Sequence, residues 1–167
     1  MSEIKLTQTG VSVDIGIEET NRKAVADSLT QLLADEHVLT IKTRNYHWNV
    51  TGMQFQQIHE LFGEQYATLA EANDDIAERI RTLGFFSAGS MQEFLKNCRL
   101  SESDHVNGDA QKMINNLLRD HEAIIQFLRH DLDEAMEVYK DAGTSDFLTG
   151  LMEVHEKMAW MLRSHIG

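Results

Sequence analysis

The sequence predicts an all-α protein, a single bundle of four long helices with a short extra helix in the crossover between the second and third. Three observations predict it. The 167 residues contain no proline, so nothing in the chain forces a helix to break. Apolar residues recur at three- and four-residue spacing along four segments of about 20 to 30 residues. Two short turns flank one longer connection between these segments, which is the connectivity of a bundle with one long crossover.

Residues 1–18 read as an arm. Val11, Val13, Ile15 and Ile17 alternate with small or polar residues, a strand pattern. With no partner strand in view, the arm is expected to lie extended on a single domain spanning 19–167. The first helix is expected over about 21–49, with Val25, Leu29, Leu32, Leu33, Leu39 and Tyr46 on its inner stripe. Val50-Thr51-Gly52 makes the first turn. The second helix covers about 54–83, and Gly84 ends it. The crossover, about 84–106, carries the capping-box pattern Ser90-Met91-Gln92-Glu93, which predicts a short helix over 90–98. The third helix runs over about 109–140 with Met113, Leu117, Ile124, Leu128 and Ala135 inward, and Asp141-Ala142-Gly143 closes it. The fourth covers about 145–165 with Phe147, Leu151, Met158 and Leu162 inward. The methionines from Met152 to Met161 read as core rather than as a soft-metal site.

Composition narrows the function. Fifteen Lys+Arg against 27 Asp+Glu give a formal charge of −12. That disfavours direct contact with nucleic acid or an anionic membrane and favours cations as partners. One cysteine, Cys98, allows neither an intrachain disulfide nor a Cys-rich zinc site. No apolar run reaches the roughly 20 residues that span a bilayer, and the N-terminus does not read as a secretion signal. A cytoplasmic protein is expected. Phosphate-cradling glycine loops are absent, and neither Cys98 nor any serine stands in a nucleophilic setting.

The second helix carries the chemistry. With His59 at zero on a wheel of 100° per residue, Ile58, Phe62, Leu69, Ile76, Ile80 and Leu83 fall at about 240–300°. His59, Asp74 and Glu78 fall at about 0°, 60° and 100°, away from the subunit's own core. Gly63, Ala67 and Ala70 share that face, and a stripe of small residues lets another helix approach. A glycine inside a helix costs about 1 kcal/mol relative to alanine, so Gly63 needs a compensating reason. His59 and Asp74 lie about 22 Å apart along the helix and cannot share an ion within one chain. Two copies of the helix crossing antiparallel near Ala67-Thr68 would bring them together, giving two equivalent sites per dimer. His47, at the end of the first helix, folds back to the same end of that interface. Mixed imidazole and carboxylate ligation suits Fe(II), Mn(II) or Zn(II), and residue types alone do not choose among them. The usual in-bundle motif, Glu-x-x-His, occurs only as Glu102-Ser103-Asp104-His105 in the crossover.

Tyr46-His47-Trp48-Asn49-Val50-Thr51-Gly52, His59-Glu60-Leu61-Phe62 and Asp74-Asp75-Ile76-Ala77-Glu78-Arg79 resemble the ferritin-like family called Dps, DNA-binding protein from starved cells. Gly143-Thr144-Ser145-Asp146 and His155-Glu156-Lys157-Met158-Ala159-Trp160-Met161-Leu162 resemble its last helix. The resemblance implies the ferritin-like four-helix bundle, assembled as a hollow dodecamer with ferroxidase sites at two-fold interfaces. It implies non-haem iron as the metal, with His47 and His59 from one subunit and Asp74 and Glu78 from its neighbour. Trp48 is implied as the aromatic neighbour of the site, taking up stray oxidising equivalents or packing beside it. The implied activity is oxidation of Fe(II), usually with hydrogen peroxide in preference to oxygen, and storage of ferric mineral, which limits Fenton damage to DNA. Asp141 and Asp146 are implied at three-fold openings through which iron passes.

One position departs from the pattern. Many members carry an acidic residue four after the second histidine, and here Gly63 stands there. An i, i+4 carboxylate would sit directly above His59, whereas Glu64 is turned from that position by about 100°. Glu60 and Glu64 are instead expected on an acidic inner surface that nucleates mineral. The competing reading is a nucleoid protein that compacts DNA with little ferroxidase activity. It would require a clustered basic surface, and residues 1–28 hold Lys5, Arg22 and Lys23 against Glu3, Asp14, Glu18, Glu19 and Asp27. A third reading, a purely structural helical oligomer, would leave the placement of the two histidines and two carboxylates without a purpose.

Overall fold

The computed structural model describes residues 6–7, 10–11, 13–102 and 107–166. Its helices are α1 (Glu19–Asn49), α2 (Phe55–Thr82), α3 (Met91–Asn97), α4 (Ala110–Glu137) and α5 (Ala142–Arg163). The four long ones form two tightly packed pairs, α1 with α2 and α4 with α5, and α3 lies on α1. Every inward position expected for the first three long helices is buried, from Val25 to Tyr46, Ile58 to Leu83 and Met113 to Ala135. On α5 the inward set shifts by one place at its start: Phe147 is half-buried and Leu148 is buried. Met152 and Met158 are core residues and Met161 packs against them. Among the described residues no helix is long and apolar enough to cross a membrane.

The arm differs from the strand expected over Val11 to Ile17. Among the described residues of that stretch, strand is confined to Gly10–Val11 (β2), which pairs antiparallel with Leu6–Thr7 (β1), the chain's own preceding segment. Past it, Val13 lies on Gly84, where an added Cβ would stand 2.7 Å from its Cγ2. Gly84 also has a φ of +95°, a left-handed conformation that glycine adopts without penalty, so it both ends α2 and seats the arm.

The other boundaries follow from capping. Ser90 and Glu93 form the reciprocal capping box of α3. The α4–α5 junction corrects the expected ends: α4 stops at Glu137, and Lys140 takes a left-handed φ of +57°. Asp141 closes the third long helix with its backbone, donating N–H to the Ala135 carbonyl at 2.8 Å, and opens the fourth with its side chain, accepting the Thr144 N–H at 2.9 Å as the N-cap of α5. The crossover after α3 is pinned by buried ions. Asp35, fully buried on α1, accepts from the backbone N–H of Arg99 at 2.5 Å and of Leu100 at 3.1 Å, and from Arg99 Nε at 2.7 Å. Lys42 donates to the Ser101 carbonyl at 2.6 Å and to Asp120 at 2.7 Å.

Candidate metal centre

His47 sits in the last turn of α1 and His59 in the second turn of α2. Val50, Thr51 and Gly52 reverse the chain between them, Gly52 with a φ of +115° and the Thr51 N–H bonded to the Gly108 carbonyl at 3.1 Å. The turn brings the imidazoles into a stack, ring centroids 3.7 Å apart and planes 20° apart. Each ring bonds the other residue's backbone: His47 Nδ1 to the His59 carbonyl at 2.7 Å, and His59 Nδ1 to the His47 carbonyl at 2.7 Å. A carbonyl only accepts, so Nδ1 is the donor in both contacts. With Nδ1 donating, Nε2 is the nitrogen of each ring left to bind a metal through its lone pair. Phe55 stacks on His59 at 5.1 Å, and Tyr66 meets His47 edge-on at 5.2 Å.

Both histidines are half-buried, while Asp74 and Glu78 are exposed one turn apart near the other end of α2. The structure thus brings the expected ligands together as two pairs, and one chain leaves those pairs apart. Among the described residues of a single chain, no group of three or more His, Cys, Asp and Glu is arranged to hold a metal ion. Trp48, next to His47, is 66% exposed, and Met53 and Phe55 are exposed beside it.

A family model for the ferritin-like domain matches residues 26–167. An uncharacterised low temperature-induced protein of Nostoc is 47% identical over 92% of this chain and 86% of its own. The DNA protection during starvation protein 2 of Bacillus anthracis is 35% identical over 87% of this chain and 98% of its own. The crystal structure of the Dps protein of Vibrio cholerae superposes with a TM-score of 0.87 at 30% identity, covering 99% of this chain and 100% of that one. The chain belongs to the Dps family of ferritin-like proteins. The Vibrio protein is described as a member of a broad superfamily of ferritin-like diiron-carboxylate proteins.

Against that family background the remaining expected residues fall in three places. Glu60 and Glu64 are exposed on α2, and Gln56 donates to Glu60 at 3.1 Å. Asp146 is exposed and borders a groove of about 410 Å³ between α2 and α5, together with Glu71 and Asp75. Asp141 is buried: it accepts two hydrogen bonds from Arg79 Nη2, at 2.9 and 3.2 Å, and one from Thr144 Oγ1 at 2.6 Å. It is therefore committed to holding α5 on α2, and Asp146 is the exposed carboxylate of the two. His105 lies outside the described residues. Cys98 is half-buried beside Asp35, and burial, reinforced by that carboxylate, pushes its thiol up to about 12. It stays protonated and is no nucleophile.

Sequence reasoning missed two groups. Glu71 and Asp75 stand one turn apart and line the same groove as Asp146; the i, i+4 acidic spacing on α2 was the available signal. The second group is in the bundle interior, where Glu36, His121 and His155 are all fully buried. His155 Nε2 lies 2.7 Å from Glu36 Oε1, and His155 Nδ1 lies 2.9 Å from His121 Nδ1. Burial, with neighbouring His155 second, holds the His121 pKa well below the usual imidazole range, so this ring is neutral. Opposite nitrogens of His155 face the other two groups, so the three form a line rather than a chelate. Only the coincidence of three polar residues at core positions on three helices could have signalled them.

Proposed function

We propose that the protein is a ferroxidase and iron store, with Fe(II) as substrate and hydrogen peroxide as the preferred oxidant. Each oxidation site is built from His47 and His59 of one copy and Asp74 and Glu78 of a second. The observation that carries this reading is the histidine pair. Two Nδ1–carbonyl bonds hold both rings so that Nε2 is presented outward, an orientation that backbone carbonyls commonly impose on metal-binding histidines. The carboxylates supply what the pair lacks, negative charge and hard oxygen donors for an ion that becomes Fe(III). Two Fe(II) give one electron each to one peroxide, which takes up two protons and leaves as two waters. Consuming both Fenton reactants protects DNA without requiring contact with it.

The assembly that suits this chemistry is the hollow dodecamer of the family, with mineral inside. The acidic surface of Glu60, Glu64, Glu71 and Asp75 would receive Fe(III), and Asp146 would draw Fe(II) toward the openings by concentrating cations. Trp48, exposed beside the histidines, would lie near the oxidant and scavenge stray oxidising equivalents. Ferric absorbance after anaerobic Fe(II) loading and peroxide addition tests the activity. The wild type should develop it rapidly, and His59→Ala should lose most of the rate. Equal rates in the two would overturn the assignment.

A further inference from the structure

We infer that Gly63 is a positioning residue of this centre: its missing side chain is the space that the His47 ring occupies. The inference rests on the iron-oxidising reading of the histidine pair. Gly63 stands one turn after His59 on the same face of α2. A Cβ built there would come within 3.3 Å of His47 Cε1 and 3.4 Å of His47 Nδ1. Whether that contact matters depends on whether the ring can move. His47 is held on three sides: by the His59 ring at 3.7 Å, by the Tyr66 edge at 5.2 Å and by the 2.7 Å bond from Nδ1 to the His59 carbonyl. The crowded atom Nδ1 is the atom that makes that bond. Displacing it lengthens the bond that fixes the tautomer and turns Nε2 away from its metal.

This accounts for two features of the sequence at once. A mid-helix glycine is unfavourable, and here the ring contact compensates for it. Aspartate or glutamate at this position would carry the same Cβ into the same space. An acidic residue here would therefore require the His47 ring to give way by a few tenths of an ångström. The rival explanation is that Gly63 is small so that a second copy of α2 can approach.

The test uses the full-length, assembled protein stripped with chelator, and Co(II) alone as the probe, because its visible absorption reports the ligand field. Gly63→Ala should weaken Co(II) binding about tenfold or more, as outer-shell changes at metal sites do. The visible band should change, while the oligomer stays intact and the metal-free melting temperature does not fall. Unchanged affinity and spectrum would overturn the inference. So would a loss of affinity that merely follows dissociation of the oligomer, since that is the mark of a helix-approach role. His59→Ala separates the two levels of the argument. If wild-type Co(II) binding is indifferent to His59→Ala, the metal-centre reading fails and the inference with it. If it depends on His59 but not on position 63, only the inference fails.

Discussion

Among single residues, His121 acts inside the bundle, where it is fully buried beside His155. Its depressed pKa has a definite sign. The unfolded chain binds a proton near the ordinary imidazole value while the folded chain refuses it. Stability from this group is complete above about pH 6.5 and is lost as the pH falls below that value. His121→Gln keeps a polar partner for His155 but cannot titrate. Denaturation midpoints measured between pH 7 and pH 4 should show the wild type losing up to about 1.4 kcal/mol more per pH unit than this variant. Parallel acid limbs would show that His121 is not responsible. At this scale the sequence was least informative. His47 and His59 were legible because spacing alone puts them at one turn of the chain. The Glu36–His155–His121 line was not, since three helices must first be packed before its members become neighbours. The role of Gly63 was hidden for the same reason, because the ring that fills its space comes from α1.

At the scale of elements, helix periodicity was legible almost residue by residue, because each amphipathic stripe is a local property. What failed was punctuation. Asp141 reads in sequence as the end of one helix, and only its cap bond to Thr144 and its pairing with Arg79 reveal it as the start of the next. The two carboxylates of the α4–α5 junction should therefore behave differently. Asp141→Ala removes a cap and leaves Arg79 without its buried partner, which should cost about 3 kcal/mol in denaturant unfolding. Asp146→Asn should leave stability within about 0.5 kcal/mol and instead slow iron uptake at low iron. If Asp146→Asn takes up iron at the wild-type rate in an intact oligomer, this carboxylate does not serve the entrance. The arm shows the same limit. Its alternation suggested a strand through Ile17, but residues 13–17 are not strand, and Gly10–Val11 pairs with Leu6–Thr7, a pairing that hydrophobic pattern does not encode.

On the scale of the whole molecule, the monomer presents half-sites. Its exposed Phe55 stacks on His59, Trp48 stands exposed next to His47 in the chain, and its exposed Asp74 and Glu78 lie farther along the same helix as His59. In the proposed assembly, a two-fold axis near the middle of α2 would bring each chain's histidines to the other's carboxylates and generate two centres for every pair of copies. The central claim is that no chain oxidises iron alone, and co-assembly of two inactive variants tests it most directly. His59→Ala subunits lack a histidine and Glu78→Ala subunits lack a carboxylate, so either variant alone should be nearly inactive. In a mixed dimer one site is doubly damaged and the other is complete. Oligomers reassembled from equal amounts should therefore recover about a quarter of the wild-type ferroxidase sites. Mixed oligomers as inactive as their parents would contradict the account.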